Sequence, residues 1–128
     1  LFVYNTHFDH ESALAREKSA VLLTHHINEL AGETPVIVTG DLNATPESRP
    51  VQHLLTQGQF LDSDTAPLDS SGQGTFHGFT GAADGDRIDY ILKRGNLAIK
   101  QSDILRHHIN GRYPSDHFPI VTSFTFLK

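Results

Sequence analysis

The sequence predicts a mixed α/β fold in a single domain. Short apolar runs rich in β-branched and aromatic residues, typical of strands, alternate with two segments whose apolar residues recur every three or four positions, as in helices. The chain has 128 residues, which is the length of one ordinary domain. The predicted order of elements is β-α-β-α-loop-β-β-β, which indicates a mixed sheet with flanking helices.

The first predicted elements are a strand over residues 1–6 and a helix over residues 12–31. The strand reads LFVYNT, and Gly32 is a typical residue just beyond the end of a helix. Spacings of three and four residues define an apolar stripe on the helix, which we expect to face the core. The stripe comprises Ala20, Leu23, Ile27 and Leu30.

The next pair of elements is a strand over residues 35–39 and a helix over residues 50–57. The strand, PVIVT, is continuously apolar, as in sheets that are buried on both faces. In the helix, Pro50 suits the first turn, where its missing N–H costs nothing. We expect the inward-facing residues of this helix to be Val51, Leu54 and Leu55.

The remaining half of the chain predicts a long loop over residues 62–86 and then three strands. The loop is rich in Gly, Ser and Asp, and loops of this length are often functional or mobile. The strands are predicted over residues 87–93, 98–105 and 119–127. In the last one, Ile120, Thr122, Phe124 and Phe126 alternate with Val121, Ser123, Thr125 and Leu127.

Composition excludes some classes of protein. The chain has no cysteine, so it has neither disulfides nor thiolate metal sites. Its apolar runs fall well short of the roughly 20 residues that span a membrane. The formal charge of −5 argues against a surface for long nucleic acid, which is usually basic, although acids that bind a divalent cation contribute to that charge. Since methionine is absent, we expect a processed product or a piece of a longer protein.

Four polar phrases lie at the ends of the predicted strands and carry the functional signal. In chain order they read NTH at residues 5–7, GDLN at 40–43, RIDY at 87–90 and SDH at 115–117. Their candidate site residues are three acids, one amide and two histidines. This inventory is suited to metal-assisted hydrolysis of a phosphate ester.

The GDLN phrase follows a buried strand directly, at the sheet edge where α/β proteins favour ligand sites. In an extended backbone, residues two apart share a face, so Asp41 and Asn43 would point together into the site. A carboxylate can hold a cation or accept a proton from water, and an amide can donate to a phosphate oxygen or bind a metal. The alternative interpretation of G-D-x-N is an ordinary turn.

Asp89 lies among apolar neighbours, where an unpaired charge is costly. Its partner could be Arg87, two residues away on the same strand face. It could instead be a histidine, whose ring Asp89 would orient and whose protonated form it would favour.

The SDH and NTH phrases offer the remaining candidates. Neighbouring residues in an extended chain diverge, so Asp116 and His117 have different tasks: Asp116 can bind metal, and His117 can bind or protonate a phosphate oxygen or accept a proton from water. The alternative for this phrase is a turn with an exposed histidine. His7 could donate to a phosphate or stabilise a leaving oxygen, and its alternative is a histidine exposed at a strand end.

Other histidines and aromatics carry weaker signals. Neither His25-His26 nor His107-His108 has the spacing of a helical zinc site, and we expect both pairs on the solvated surface, which disfavours a histidine-based metal-binding module. In TFHGF at residues 75–79, the two phenylalanines could face substrate, but we expect Phe76 and Phe79 to anchor the loop to the core.

The ordered set of phrases resembles the endonuclease/exonuclease/phosphatase superfamily, which has the deoxyribonuclease-like fold. The resemblance runs along the whole chain, from NTHFDH through PVIVTGDLNATPES and RIDYIL to YPSDHFPIV. GDLN and SDHFP are characteristic of that superfamily when they occur in this order. The resemblance implies a divalent-metal-dependent phosphoesterase that cleaves a P–O bond by attack of water.

The resemblance also implies a role for each matching residue. Asp41 would activate or position the water, and Asn43 would bind the scissile phosphate and help to hold metal. Asp116 would be a metal ligand, and the metal would be Mg²⁺ or Mn²⁺. His117, oriented by Asp89, would contact the phosphate together with His7. Both Asp41 and His117 qualify as the general base.

Members of the superfamily are about twice as long as this chain. The resemblance therefore implies that residues 1–128 are the C-terminal portion of one catalytic domain, half of a two-sheet α/β sandwich, with the N-terminal portion absent. That portion supplies a metal-binding Glu, and here no Glu stands in a suitable place. The expected partners are a phosphate ester (a small molecule, a phospholipid headgroup or nucleic acid) and either the missing half or a second copy. The alternative is a catalytically incomplete fragment with a structural or partner-binding role only.

Overall fold

The structure, a computed structural model, describes residues 1–64 and 73–127. Each predicted helix and strand is present, with bounds within two residues of those expected. One short strand, at the start of the predicted loop, is additional, and residues 65–72 of that loop lie outside the described residues. The elements are β1 (Phe2–His7), α1 (Ala13–Ala31), β2 (Val36–Asp41), α2 (Arg49–Thr56), β3 (Leu61–Asp62), β4 (Asp89–Arg94), β5 (Leu97–Ile104) and β6 (Ile120–Phe126).

Four strands form a mixed sheet in the order β1-β2-β4-β3. Strands β1 and β2 are parallel and are connected through α1, whereas β4 runs antiparallel to both β2 and β3. Strands β5 and β6 form a separate antiparallel pair. The predicted fold class, a mixed sheet with flanking helices, is confirmed.

The hydrophobic core lies between one face of the mixed sheet and the two helices. The sheet contributes four side chains that are almost wholly buried: Val36, Val38, Tyr90 and Leu92. Of the inward residues predicted for α2, Val51 and Leu54 are fully buried, and Leu55 packs against the core while partly exposed. Pro50 lies in the first turn of α2, as expected.

The buried face of α1 is narrower than the sequence predicted. Its buried residues are Ala20, Thr24, Ile27 and Ala31. Leu23 packs at the margin of this face, but Leu30 is 56% exposed, so its placement in the core was wrong. Residues in a helix advance by about 100° each, which puts Leu30 roughly a quarter turn from the centre of the buried face. The helix begins after Ser12, whose side chain accepts a hydrogen bond from the Ala15 N–H.

Helices cover one face of the mixed sheet only. On β2, Val36 and Val38 face the helices and are fully buried, whereas Ile37 and Thr39 on the opposite face are only partly buried. Val3 pairs with Ile37 in register and is 61% exposed. The expectation that this strand is buried on both faces was therefore wrong for the described chain. A continuous apolar run indicates that both faces of a strand are apolar, but it does not show that other elements cover both faces.

The second sheet is joined to the first by a ring of three hydroxyl groups. Ser63 follows β3, Ser102 is in β5 and Thr122 is in β6, and their oxygens lie 2.9–3.2 Å from one another. The alternation predicted for β6 is present over most of its length, with Thr122 and Phe124 partly buried and Ser123 exposed between them. Near the end of the strand, Phe126 is exposed as well.

Gly40 is required by close packing of the backbone just before the site. It has φ +144°, and a Cβ placed on it would lie 1.8 Å from the Thr6 carbonyl oxygen of the adjacent strand. We expect Gly40→Ala to lower the free energy of unfolding by about 3 kcal/mol, because the strands must separate to admit the methyl group. Urea denaturation measures this change.

Gly32→Ala is the matched control. Gly32 also has a positive φ, of 50°, but a Cβ placed on it would have no neighbour within 4 Å. We expect this substitution to cost about 1 kcal/mol from backbone strain alone. Equal losses for the two variants would show that contact with Thr6 contributes nothing.

Candidate active site

Strand register brings three of the predicted site residues into one row. His7 is paired with Asp41 across β1 and β2, and Asp41 is paired with Asp89 across β2 and β4. Paired residues on adjacent strands project to the same face, so the three side chains emerge together. They emerge at the carboxyl ends of the parallel strands β1 and β2, on the face of the sheet that the helices leave open.

Asp89 pairs with a histidine and not with the neighbouring arginine. Its Oδ2 lies 2.7 Å from His117 Nδ1, the distance of a charge-assisted hydrogen bond. Arg87 is buried elsewhere, where its guanidinium lies 2.6 Å from Asp62 and 3.3 Å from Asp64. Of the two partners that the sequence left open for Asp89, the structure selects His117.

The surroundings of His117 favour its protonated form. Partial burial by itself would lower the pKa of His117, but the hydrogen bond and charge of Asp89, with the charges of Asp41 and Asp116, outweigh burial and raise this pKa above 6.5. The acceptor Asp89 also requires that Nδ1 carry a proton. The other ring nitrogen, Nε2, is thereby left to act in the site.

Asp41 lies between two imidazoles. Its Oδ2 is 3.4 Å from Nε2 of His7 and 3.9 Å from Nε2 of His117. Its Oδ1 accepts the N–H of Asn43 at 2.8 Å, and only 12% of its side chain is exposed. The carboxylate is thus held at a fixed position at the centre of the row.

Asn43 reaches the site through a turn rather than by strand alternation. Its φ is +47°, so the expected extended geometry after Asp41 was wrong, and the N–H bond to Asp41 is the turn chemistry that the sequence offered as the alternative. The Asn43 amide donates to the Phe8 carbonyl at 3.0 Å, and that carbonyl also lies 2.8 Å from His7 Nδ1. Phe8 therefore orients both side chains, and the amide oxygen of Asn43 remains available to a ligand.

Asp116 is partly buried and lies outside the central cluster. Within the described residues, the group of three or more acid and imidazole side chains whose ligand atoms all lie within 4.8 Å of one another is Asp41, Asp89 and His117. The backbone carbonyl of Asp116 accepts N–H groups from His77 and Gly78. Its expected role as a metal ligand stays a prediction.

The TFHGF segment lies directly against His117. Phe76 forms a β-bridge with His117, and the two rings meet edge to face at 5.1 Å. Phe76 and Phe79 are both substantially exposed, so the expectation that they anchor the loop to the core was wrong. The anchor is His77, which is 5% exposed and stacks on Phe118 at 4.0 Å. A polar residue between two phenylalanines provides no sequence signal for that role.

Two further observations concern histidines and membranes. His25, His26, His107 and His108 are all exposed, as expected. Over residues 1–64 and 73–127, no helix combines the length and apolar character needed to cross a membrane.

The residues present fit a hard divalent cation. Asp41 and Asn43 offer a carboxylate and an amide oxygen, and Mg²⁺ is commonly bound by one or two carboxylates and several waters. Asp89 and His117 belong to the same cluster, but their facing atoms are joined by a 2.7 Å hydrogen bond. A cation that took both of those atoms would have to break this bond, whereas Asp41 could bind a cation without disturbing the pair.

Comparison with known proteins shows the family to which this chain belongs. The model of the Endonuclease/Exonuclease/phosphatase family matches residues 1–117. The chain belongs to this family. No curated protein matches the sequence significantly.

Solved structures of family members superpose closely on this chain. A conserved protein of unknown function from Enterococcus faecalis V583 is 32% identical, with a TM-score of 0.83 over 98% of this chain and 50% of that one. A family protein from Bacteroides thetaiotaomicron is 28% identical, with a TM-score of 0.83 and coverage of 98% and 50%. A mannosyl-6-phosphatase from Bacteroides thetaiotaomicron VPI-5482 is 27% identical, with a TM-score of 0.81 and coverage of 97% and 51%.

The chain spans about half the length of the solved structures that it matches. Its mixed sheet, with helices on one face and the other face open, corresponds to half of a two-sheet α/β sandwich, as the resemblance implied.

The pairing of Asp89 with His117 predicts a pH effect. We expect Asp89→Asn to lower the pKa of His117, because the substitution removes the negative charge that favours the imidazolium. Histidine resonances followed by NMR across pH measure this shift. Asp103→Asn, at an exposed acid in β5, is the control for general loss of charge.

The raised pKa of His117 also determines how the stability of the fold depends on pH. Because the folded-state pKa of His117 is raised, the pair stabilises the fold fully at pH below the unfolded pKa of 6.5, and this contribution is lost as pH rises through the higher folded pKa. An unchanged His117 titration in Asp89→Asn would contradict the pairing.

Proposed function

We propose that this chain forms part of the catalytic site of a divalent-metal-dependent phosphoesterase. The observation that carries the proposal is the constellation around Asp41, which lies 3.4 Å from His7 and 3.9 Å from His117, with Asp89 bonded behind His117. Membership of a family of nucleases and phosphatases supports a hydrolase acting on phosphoester bonds.

The substrate phosphate binds to the donors that surround Asp41. His117, positively charged when protonated and held by Asp89, donates from Nε2 to a phosphate oxygen. His7 is the second such contact: its Nδ1–H donates to the Phe8 carbonyl, so Nε2 faces the site and donates to the phosphate when the ring is protonated. Asn43 contributes its side chain to the same phosphate. These groups offset the negative charge that grows in the transition state.

The reaction is hydrolysis by a water molecule that Asp41 positions. The water oxygen attacks phosphorus, and the bond from phosphorus to the ester oxygen breaks. The proton lost by the water and the proton gained by the leaving oxygen balance, so the products are an alcohol and a phosphate or phosphomonoester. The fixed carboxylate of Asp41 supplies orientation, which is a large part of the barrier reduction in such reactions.

The metal would be Mg²⁺ or Mn²⁺, held by Asp41, Asn43 and Asp116 together with a ligand from outside this chain. When bound, it would neutralise charge on the phosphate and assist the leaving oxygen. An oxygen ligand set is the one that these hard ions prefer.

Residues 1–128 are proposed to be the C-terminal portion of one catalytic domain. The chain covers about half of its structural relatives, and the sheet face that carries Val3 and Ile37 is the surface that a second sheet would cover. The occupant of that face would be the N-terminal portion of the domain, which brings the additional acidic ligand, or a second copy of this chain.

The substrate is proposed to be a small phosphate ester or a phospholipid headgroup rather than long duplex nucleic acid. The chain has a net charge of −5, whereas duplex-binding surfaces are basic. Similarity at 27% identity to a mannosyl-6-phosphatase supports a small phosphorylated molecule.

The decisive experiment is hydrolysis of p-nitrophenyl phosphate and bis-p-nitrophenyl phosphate by this chain, alone and within a complete domain, with Mg²⁺, Mn²⁺ or EDTA. We expect metal-dependent turnover in the complete domain. Asp41→Ala should reduce kcat by at least about 100-fold, since it removes the residue that positions the water.

Two further variants sharpen the result. Asp116→Ala should reduce turnover and raise the Mg²⁺ concentration needed for half-maximal rate, whereas Asp103→Asn should change neither quantity. Turnover that persists in EDTA, or that survives Asp41→Ala, would refute the proposed site. Turnover by the complete domain only would show that this chain by itself is catalytically incomplete.

A further inference from the structure

Thr75 connects the two chain segments that carry the Asp89–His117 pair. It is fully buried, and its hydroxyl oxygen accepts the backbone N–H of Ile88 at 3.0 Å and that of Asp89 at 3.1 Å. Its carbonyl accepts the N–H of Phe118, the residue after His117, at 2.7 Å. One residue is thus bonded to the backbone on both sides of the pair.

The two hydroxyl bonds act at the start of β4, and the carbonyl bond belongs to the isolated β-bridge beside His117. Asp89 is the first residue of β4, and one backbone bond, from the Leu42 N–H to the Ile88 carbonyl at 2.8 Å, continues the pairing with β2. The N–H groups of Ile88 and Asp89 bond to the Thr75 hydroxyl instead. His117 precedes β6 and is held by the β-bridge to Phe76, of which the Thr75 carbonyl bond is part, and by the bond from its N–H to the Ser115 hydroxyl at 3.1 Å. Side chains at the frayed end of a strand can shift by more than the tolerance of a catalytic hydrogen bond unless something else holds the backbone.

The chemistry of threonine suits this task. A hydroxyl oxygen has two lone pairs, and the two N–H groups can fill both of them. The β-branched side chain has few rotamers, so a buried Thr75 presents that oxygen in one place. Valine has the same shape without the acceptor and would leave two N–H groups in the interior without Thr75 as a partner.

We propose that Thr75 is a positioning residue that sets the alignment of Asp89 with His117. It acts through the backbone and touches neither reacting side chain. Its consequence for turnover rests on the proposed function, but its structural effect does not, and the two can be measured separately.

The test compares Thr75→Val and Thr75→Ser with the unsubstituted chain by NMR. A strongly hydrogen-bonded imidazole N–H, here His117 Nδ1–H to Asp89 at 2.7 Å, resonates far downfield. We expect Thr75→Val to lose or markedly shift this resonance and to speed amide exchange at Ile88 and Asp89. Thr75→Ser, which restores the acceptor, should keep the resonance and the protection.

Leu54→Ala is the control for loss of stability. Leu54 is fully buried in α2, so its truncation destabilises the core without touching Thr75, Asp89 or His117. We expect this variant to keep the downfield resonance. A resonance unchanged in Thr75→Val would overturn the proposal, as would its loss in Leu54→Ala to the same degree.

A second measurement covers the case in which Thr75→Val does not fold. In the unsubstituted chain, the amide of Ile88 should be as well protected from exchange as amides in the interior of β4, because its partner is a buried hydroxyl. Rapid exchange at Ile88 would show that the bond to Thr75 does not persist in solution and would refute the proposal. Neither NMR result depends on turnover, so an inactive chain leaves the test intact.

Discussion

The site depends on the register of three strands. His7, Asp41 and Asp89 are 34 and 48 residues apart in sequence, yet parallel pairing of β1 with β2 and antiparallel pairing of β2 with β4 place them side by side. A shift of one residue in either ladder would turn one of these side chains to the helix-covered face. The buried residues Val36, Val38 and Leu92 oppose such a shift, because it would expose them. Packing on one face of the sheet therefore fixes which side chains lie together in the site on the other face.

Electrostatic interactions link the members of the row. The Asp41 carboxylate lies between two imidazoles, and the Asp89 carboxylate is bonded to one of them. In this arrangement each carboxylate lies beside an imidazole that can carry the opposite charge. Arg87 is kept out of this network by its contacts with Asp62 and Asp64, and it stacks on the Tyr90 ring. Among the described residues, Arg87 is the only arginine close to the start of β4, and these contacts hold it away from Asp89. Asp89 therefore polarises His117.

The open sheet face and the half-length match to relatives have a common physical explanation. A sheet whose two faces are both apolar needs cover on both sides, and helices α1 and α2 cover only one. The row of His7, Asp41 and Asp89 lies at the margin of the other face, next to where a second sheet would pack. Completing the sandwich would therefore bury apolar surface and close the site in the same step.

The sequence by itself determined the order and type of the elements, the family, and the identity of the acids and histidines at the strand ends, because periodicity and strand-end motifs are local properties. Tertiary structure decided which of these side chains meet. That His117 rather than Arg87 pairs with Asp89 follows from the path of the chain between β4 and β6, which no local pattern records. The bond from the Asn43 side chain to Phe8, the exposure of Leu30 and the contacts of Thr75 depend likewise on packing partners distant in sequence.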